Sequence, residues 1–158
     1  MPGDRPIEPG QTVTIDAACR IGGYASDCTR TFLTGNVPDE LRRAYDVVLE
    51  AQLVGLAAIR AGADGVAVDQ TARDVIEAAG FGELFGHGLG HGLGLEVHEA
   101  PWLNVEYPST LAAGNVVTVE PGLYFPGKGG IRIEDLVIVT EVGAEVLTPF
   151  TKEAVTVG

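Results

Sequence analysis

Gly86-His87-Gly88-Leu89-Gly90-His91-Gly92-Leu93-Gly94-Leu95-Glu96-Val97-His98-Glu99-Ala100-Pro101 constrains this chain more than any other segment. It holds all 3 histidines of the chain. Glycine at 86, 88, 90, 92 and 94 is too costly to order as a helix. Such a run instead lets backbone approach something closely, and it carries imidazoles there. Imidazole is the commonest metal ligand and titrates nearest neutral pH. His87 and His91 are four apart, but the glycines exclude the helical HExxH zinc motif, and Gly88 stands where that motif has Glu. On an extended chain His87 and His91 share a face. His98 joins them only if the chain bends between Gly92 and Val97.

Outward from this stretch, the sequence predicts two hairpins that carry acids. Upstream, Pro9-Gly10 is a turn, Gln11–Ala18 alternates as a strand, and Tyr24–Leu33 is a second strand. Closing the pair around Ile21-Gly22 sets Asp16 opposite Asp27. Directly opposed carboxylates repel unless something neutralises them, so a shared cation is one reading and two solvated surface aspartates the other. Downstream, Asn115–Glu120 reads as a buried strand ending in an acid. A hairpin centred on Gly127 pairs Tyr124 with Gly130 and Glu120 with Glu134, with Arg132 on the same face as Glu134. Asp135–Thr140 and Glu145–Leu147 complete the sheet. Two acid-bearing hairpins hint at a loose internal duplication.

Between the hairpins lie two scaffold helices. Pro38-Asp39-Glu40 opens the first, with acids at the positive end of the dipole. Leu41, Ala44, Tyr45, Val48, Leu49, Leu53, Leu56 and Ala57 form its apolar stripe. Ala63–Gly65 reads as a loop, and Asp69 as the N-cap of a second helix, Gln70–Ala79.

The totals bound the rest. At 158 residues, one domain with a real core is expected. A net charge of −12 argues against nucleic acid or anionic membrane as partner. Two cysteines, Cys19 and Cys28, give no disulfide framework and read as packed thiols. The polar start Met1-Pro2-Gly3-Asp4-Arg5-Pro6 does not read as a signal peptide, and no apolar run reaches membrane-spanning length. A soluble, reduced, cytoplasmic protein is the expectation.

Asp16, Asp27, His91, Glu120 and Glu134 together make four carboxylates and one imidazole. Such a set suits Mn²⁺, Fe²⁺, Co²⁺ or Zn²⁺ rather than a thiolate site. Four negative charges are balanced by two ions about 3.5–4 Å apart, an arrangement that activates water and polarises a carbonyl. A further histidine can hydrogen-bond the developing oxyanion.

The chain resembles the catalytic half of the metallopeptidases that include methionine aminopeptidase, aminopeptidase P and prolidase. The matching pieces are Ile15-Asp16, Gly23–Thr31, His87–Gly94 with His98-Glu99-Ala100-Pro101, Glu120–Tyr124 and Gly130–Asp135. The resemblance implies an α+β pita-bread fold, here partial: a curved, mainly antiparallel sheet with helices on its outer face. It implies two divalent ions, Mn²⁺ foremost, with Co²⁺, Zn²⁺ or Fe²⁺ as alternatives. Asp16 would hold one ion, Asp27 and Glu134 would bridge both, and His91 and Glu120 would hold the second. Glu120 or Glu134 would take a proton from water, and His98 would contact the substrate carbonyl. His87 and Arg132 match the proline-specific branch, which implies a peptide or dipeptide with proline after the scissile bond.

In that family the catalytic domain begins with helices and a strand upstream of the first aspartate, which here is residue 16. A single catalytic-type domain, 1–158, lacking those helices and any N-terminal domain, is therefore expected. Uncovered sheet surface would then favour instability, self-association as a homodimer, or a partner. The alternative to an enzyme is a non-enzymatic metal-binding or interaction module that has lost part of the substrate pocket.

Overall fold

The computed structural model describes residues 4–157. The first three residues of the polar N-terminal segment lie outside them. The chain begins with β1 (Thr12–Ala17), β2 (Arg20–Ile21), β3 (Tyr24–Ala25) and β4 (Cys28–Thr34). Gly22 and Gly23 have φ of +60° and +92°, so they are the two central residues of a tight hairpin turn. Ile21 therefore pairs with Tyr24, and Asp16 faces Thr29. The expected register is corrected by two residues: Asp27 does not face Asp16 but sits in the break between β3 and β4. Only the downstream hairpin sets two acids opposite each other, which removes the support for a duplicated motif.

Helix α1 (Asp39–Ala58) begins where Pro38 and the two acids predict. Its buried stripe is Leu41, Ala44, Tyr45, Val48, Ala51, Gln52 and Gly55, while Leu53 is 49% exposed. The stripe thus follows 3.6-residue spacing past Val48 and away from Leu53. At Gly55 the helix comes so close to the sheet that a Cβ would lie 3.1 Å from both Leu89 and Val119.

Helix α2 (Gly65–Ala78) starts five residues before the predicted Gln70. Asp64 is its N-cap, and its carboxylate accepts the Val66 N–H at 3.0 Å. Asp69 is instead a fully buried residue inside the helix. Gly65 is needed because a Cβ there would meet the Trp102 carbonyl at 2.2 Å. Asp64→Ala should lower stability by about 1 kcal/mol, the usual cost of losing a cap. Chemical denaturation would show it as a lower midpoint with an unchanged slope.

The remaining strands are β5 (Gly90–Gly92), β6 (Glu99–Leu103), β7 (Val116–Val119), β8 (Gly122–Phe125), β9 (Gly129–Arg132), β10 (Asp135–Val139), β11 (Ala144–Val146) and β12 (Thr156–Val157). An antiparallel five-stranded sheet has the order β11-β10-β7-β5-β6. A three-stranded sheet runs β1-β4-β12, with β12 parallel to β4. Both helices pack onto these strands, α1 against β7, β8 and β9, and α2 against β6. The core they enclose includes Tyr45, Leu89, Leu103, Leu123, Ile131 and Ile133.

On the other side of β1 and β4 the expected apolar surface is present. Ile7, Val13, Ile15, Phe32 and Val157 line a shallow hollow of about 270 Å³, with Ile15 51% exposed. Both cysteines are free thiols. Cys28 is half-buried, and burial pushes its thiol pKa up. Cys19 is exposed against Ser26, not packed, because the short hairpin it precedes projects from the body. Among the described residues, no helix is long and apolar enough to cross a membrane.

Candidate active site

The chain folds back between β5 and β6, as the histidine spacing requires. The two strands are antiparallel, with an irregularity between His91 and Gly92. This brings the His98 ring to 4.2 Å from the His91 ring, centroid to centroid. Gly90 and Gly92 make the approach possible. A Cβ at Gly90 would lie 2.0 Å from the Thr118 carbonyl oxygen, and one at Gly92 would lie 2.4 Å from that of Ala100.

His91 is held on three sides. Its N–H donates to Thr118 Oγ1 at 3.0 Å, and its Nδ1 lies 3.0 Å from the Gly92 carbonyl. A carbonyl only accepts, so Nδ1 carries a proton and Nε2 is the nitrogen turned toward the site. Nε2 sits 3.0 Å from Glu120 Oε1, to which Thr118 Oγ1 also donates at 2.9 Å. Thr118 thereby fixes both a histidine and an acid.

The downstream hairpin forms as predicted. Gly122 pairs with Arg132 and Tyr124 with Gly130 in β8 and β9. Val119 pairs with Asp135 in β7 and β10. One register runs on both sides of the break, so Glu120 and Glu134 lie across from each other. Glu134 is 2% exposed and accepts from Thr29 Oγ1 at 2.5 Å. Arg30 fills the space behind it, donating to the Glu134 carbonyl and to Asp135 Oδ1.

Asp27, His91 and Glu134 are all buried, and each offers a ligand atom within 4.8 Å of the others. The acids show the strain of being gathered. Burial, with Glu120 next, pushes the Glu134 carboxyl from 4.5 to about 8. Burial, then Asp16 and Glu120, raise Asp27 as well. Glu120 is the exception: burial opposes ionisation, but the His91 hydrogen bond and charge hold it below its usual value. His91 is raised in turn, against its own burial, chiefly by Glu120. A divalent cation relieves this crowding, so the residues present fit one.

Asp16 is brought to the same pocket but not into that trio. Its carboxylate is paired with the Arg132 guanidinium. Arg132 also reaches Tyr124 Oη at 3.0 Å, and Tyr124 Oη lies 3.1 Å from His87 Nε2. His87 Nδ1 is 2.7 Å from the Gly88 carbonyl and so carries the proton. Tyr124 therefore donates to His87 Nε2 and accepts from Arg132. Tyr124 lies within a quoted motif but was not predicted as a site residue. Its place three residues before the turn, opposite Gly130, was the available signal. The pocket holds about 380 Å³ and is lined by Asp16, His87, His91, His98, Glu120 and Arg132, with Trp102, Asn104 and Tyr124. Asp27 and Glu134 are buried outside that lining.

Fold and site together place the chain in the pita-bread class, with a buried cluster of acids and an imidazole that fits a divalent cation. Its structure superposes on an Xaa-Pro dipeptidase from Bacillus anthracis with a TM-score of 0.95 at 48% identity, covering 98% of this chain and 44% of that one. An X-Pro aminopeptidase from Thermotoga maritima gives 0.93 at 42% identity, with 98% and 44% covered. By sequence it is 43% identical over 150 residues to the Xaa-Pro dipeptidase of Pyrococcus furiosus, covering 95% of this chain and 43% of that protein. Residues 1–141 match metallopeptidase family M24, and the chain belongs to that family. It spans somewhat under half the length of these relatives.

Proposed function

We propose that this chain carries the metal-binding half of a peptidase that hydrolyses the bond preceding proline, with two divalent ions, Mn²⁺ foremost. The observation that carries the reading is the buried Asp27–His91–Glu134 trio, with ligand atoms within 4.8 Å of one another. The names of the relatives, Xaa-Pro dipeptidase and X-Pro aminopeptidase, support the substrate class.

Asp27 and Glu134 would bridge the ions, His91 and Glu120 would hold one, and Asp16 the other. Bound there, the ions would act as Lewis acids toward a carbonyl and lower the pKa of water. Glu120, ionised beside His91, or Glu134 would receive the proton that water gives up. His98, against His91 at the pocket wall, would hydrogen-bond the substrate carbonyl. His87, with its tautomer set by the Gly88 carbonyl and its Nε2 engaged by Tyr124, would face the proline side. A reducing compartment, the cytoplasm, suits two free thiols.

Asp16 is engaged by Arg132, and this favours a second reading, a metal-binding module without turnover. Calorimetry with Mn²⁺ and Co²⁺, followed by an Ala-Pro hydrolysis assay, separates the two. Binding with hydrolysis, lost in Asp27→Ala, is the expected result. Binding without hydrolysis establishes the module, and no binding overturns both.

A further inference from the structure

We propose that Asp69 and Arg73 of α2 are a positioning pair for His87, fixing its backbone and ring in the pocket; this rests on the reading of His87 as a substrate-facing residue. The two lie one turn apart on one helix face. Asp69 is fully buried and its carboxylate is saturated. Oδ2 accepts Arg73 Nε at 2.9 Å, while Oδ1 accepts Arg73 Nη2 at 3.1 Å and the Leu89 N–H at 2.8 Å. Arg73 then reaches past Asp69 to the glycine-rich stretch. Its Nη2 donates to the His87 carbonyl at 3.0 Å and its Nη1 to that of Phe85 at 3.3 Å. Its guanidinium lies over the Phe85 ring, 4.4 Å from the centroid, and that ring meets the His87 imidazole edge-on at 5.1 Å.

Residues 85, 87 and 89 are thus gripped in alternation from a single helix. The gaps between them are glycines, the residues that lose most freedom on ordering. A Cβ on Gly86 would touch nothing within 4 Å, so the stretch is not confined by packing there. Arginine suits the task because its rigid fork serves a carboxylate and two carbonyls at once, which an ammonium does not. His91 is secured separately, by Thr118 and by pairing with β6 and β7. The pair therefore governs His87 and not the metal ligands. A pair that only anchored the loop would affect stability and nothing else.

Arg73→Lys decides between these roles. The Arg73 side chain is 21% exposed, so the change is compatible with folding, and it keeps a cation one turn from Asp69. Asp69→Asn, which keeps an acceptor for Leu89, is the companion variant. The expected result for Arg73→Lys is a Mn²⁺ Kd within about twofold of the parent and kcat/KM for Ala-Pro lower by about 10–100-fold, the scale of a small misplacement. In the metal-free protein, the ¹⁵N-imidazole spectrum should show one His87 ring environment in the parent and a broadened or doubled one in the variant. The signal is assigned by His87→Asn. Unchanged kcat/KM and an unchanged His87 spectrum, with only a lower Tm, would overturn the proposal. If the parent hydrolyses nothing, the functional reading fails, and the His87 spectrum alone still supports or overturns the pair's role.

Discussion

Glu134→Gln should make the metal-free protein more stable at pH 9 while abolishing its stabilisation by divalent metal. Glu134 is 2% exposed and, through burial and then Glu120, ionises only near pH 8 in the folded chain. The unfolded chain releases the same proton near 4.5. Native stability is therefore greatest below about pH 4.5 as far as this group is concerned. It falls by about 1.4 kcal/mol per pH unit between the two values and levels off above about 8. The loss is on the order of 5 kcal/mol. Glutamine resembles the protonated acid and does not ionise, so the slope disappears. The same change removes one of the three buried side chains, with Asp27 and His91, gathered where a cation would sit. Thermal unfolding from pH 5 to 9, with and without Mn²⁺, reads both effects, at about 2–4 °C per kcal/mol for a chain of this size. A parent Tm that is flat over that range without metal would refute the account.

The second large effect is steric. Gly90→Ala should cost more than about 3 kcal/mol, beyond ordinary overpacking, because the obstruction is backbone. The added Cβ would sit 2.0 Å from the Thr118 oxygen and 2.7 Å from its carbonyl carbon. Relief requires β5 to separate from β7, which breaks the central pairing of the five-stranded sheet and displaces His91. Gly86→Ala, four residues earlier, has open space and an ordinary φ, and should be near neutral. Soluble yield and denaturation midpoints of the two variants compare them directly. Equal tolerance at both positions would show that the close approach does not hold.

These two glycines show where the sequence is informative and where it is not. Periodicity cannot tell Gly86 from Gly90, since the difference lies in β7, some thirty residues away. The Glu120–Glu134 pairing was legible because a single short loop, Pro126–Lys128, fixes it locally. The upstream register was misread by two residues because Ile21-Gly22-Gly23-Tyr24 offers two plausible centres, and only the positive φ of both glycines settles which. Asp69 followed the same pattern. It sits where a cap residue is common, but it is held by Arg73 one turn on and by the tertiary contact to the Leu89 N–H, and Asp64 supplies the cap. The residue types gathered in the candidate site were legible in the sequence. The links that orient them, Thr118, Thr29 and Tyr124, were not, because each is a common residue whose role comes only from what the fold sets beside it.

The Phe125↔Gly129 pair closes β8 and β9 over three residues, with Gly127 at φ +75°. Surface turns are where chains ordinarily gain and lose residues at little cost. This turn acts as a ruler instead. Side chains alternate between faces along a strand, so one residue more or less reverses the sides of everything paired beyond it. Arg132 would be driven into the apolar position that Ile133 fills, and Glu134 would face away from Glu120. An insertion or deletion distant from every acid of the pocket would therefore act as a simultaneous substitution of the whole acidic wall.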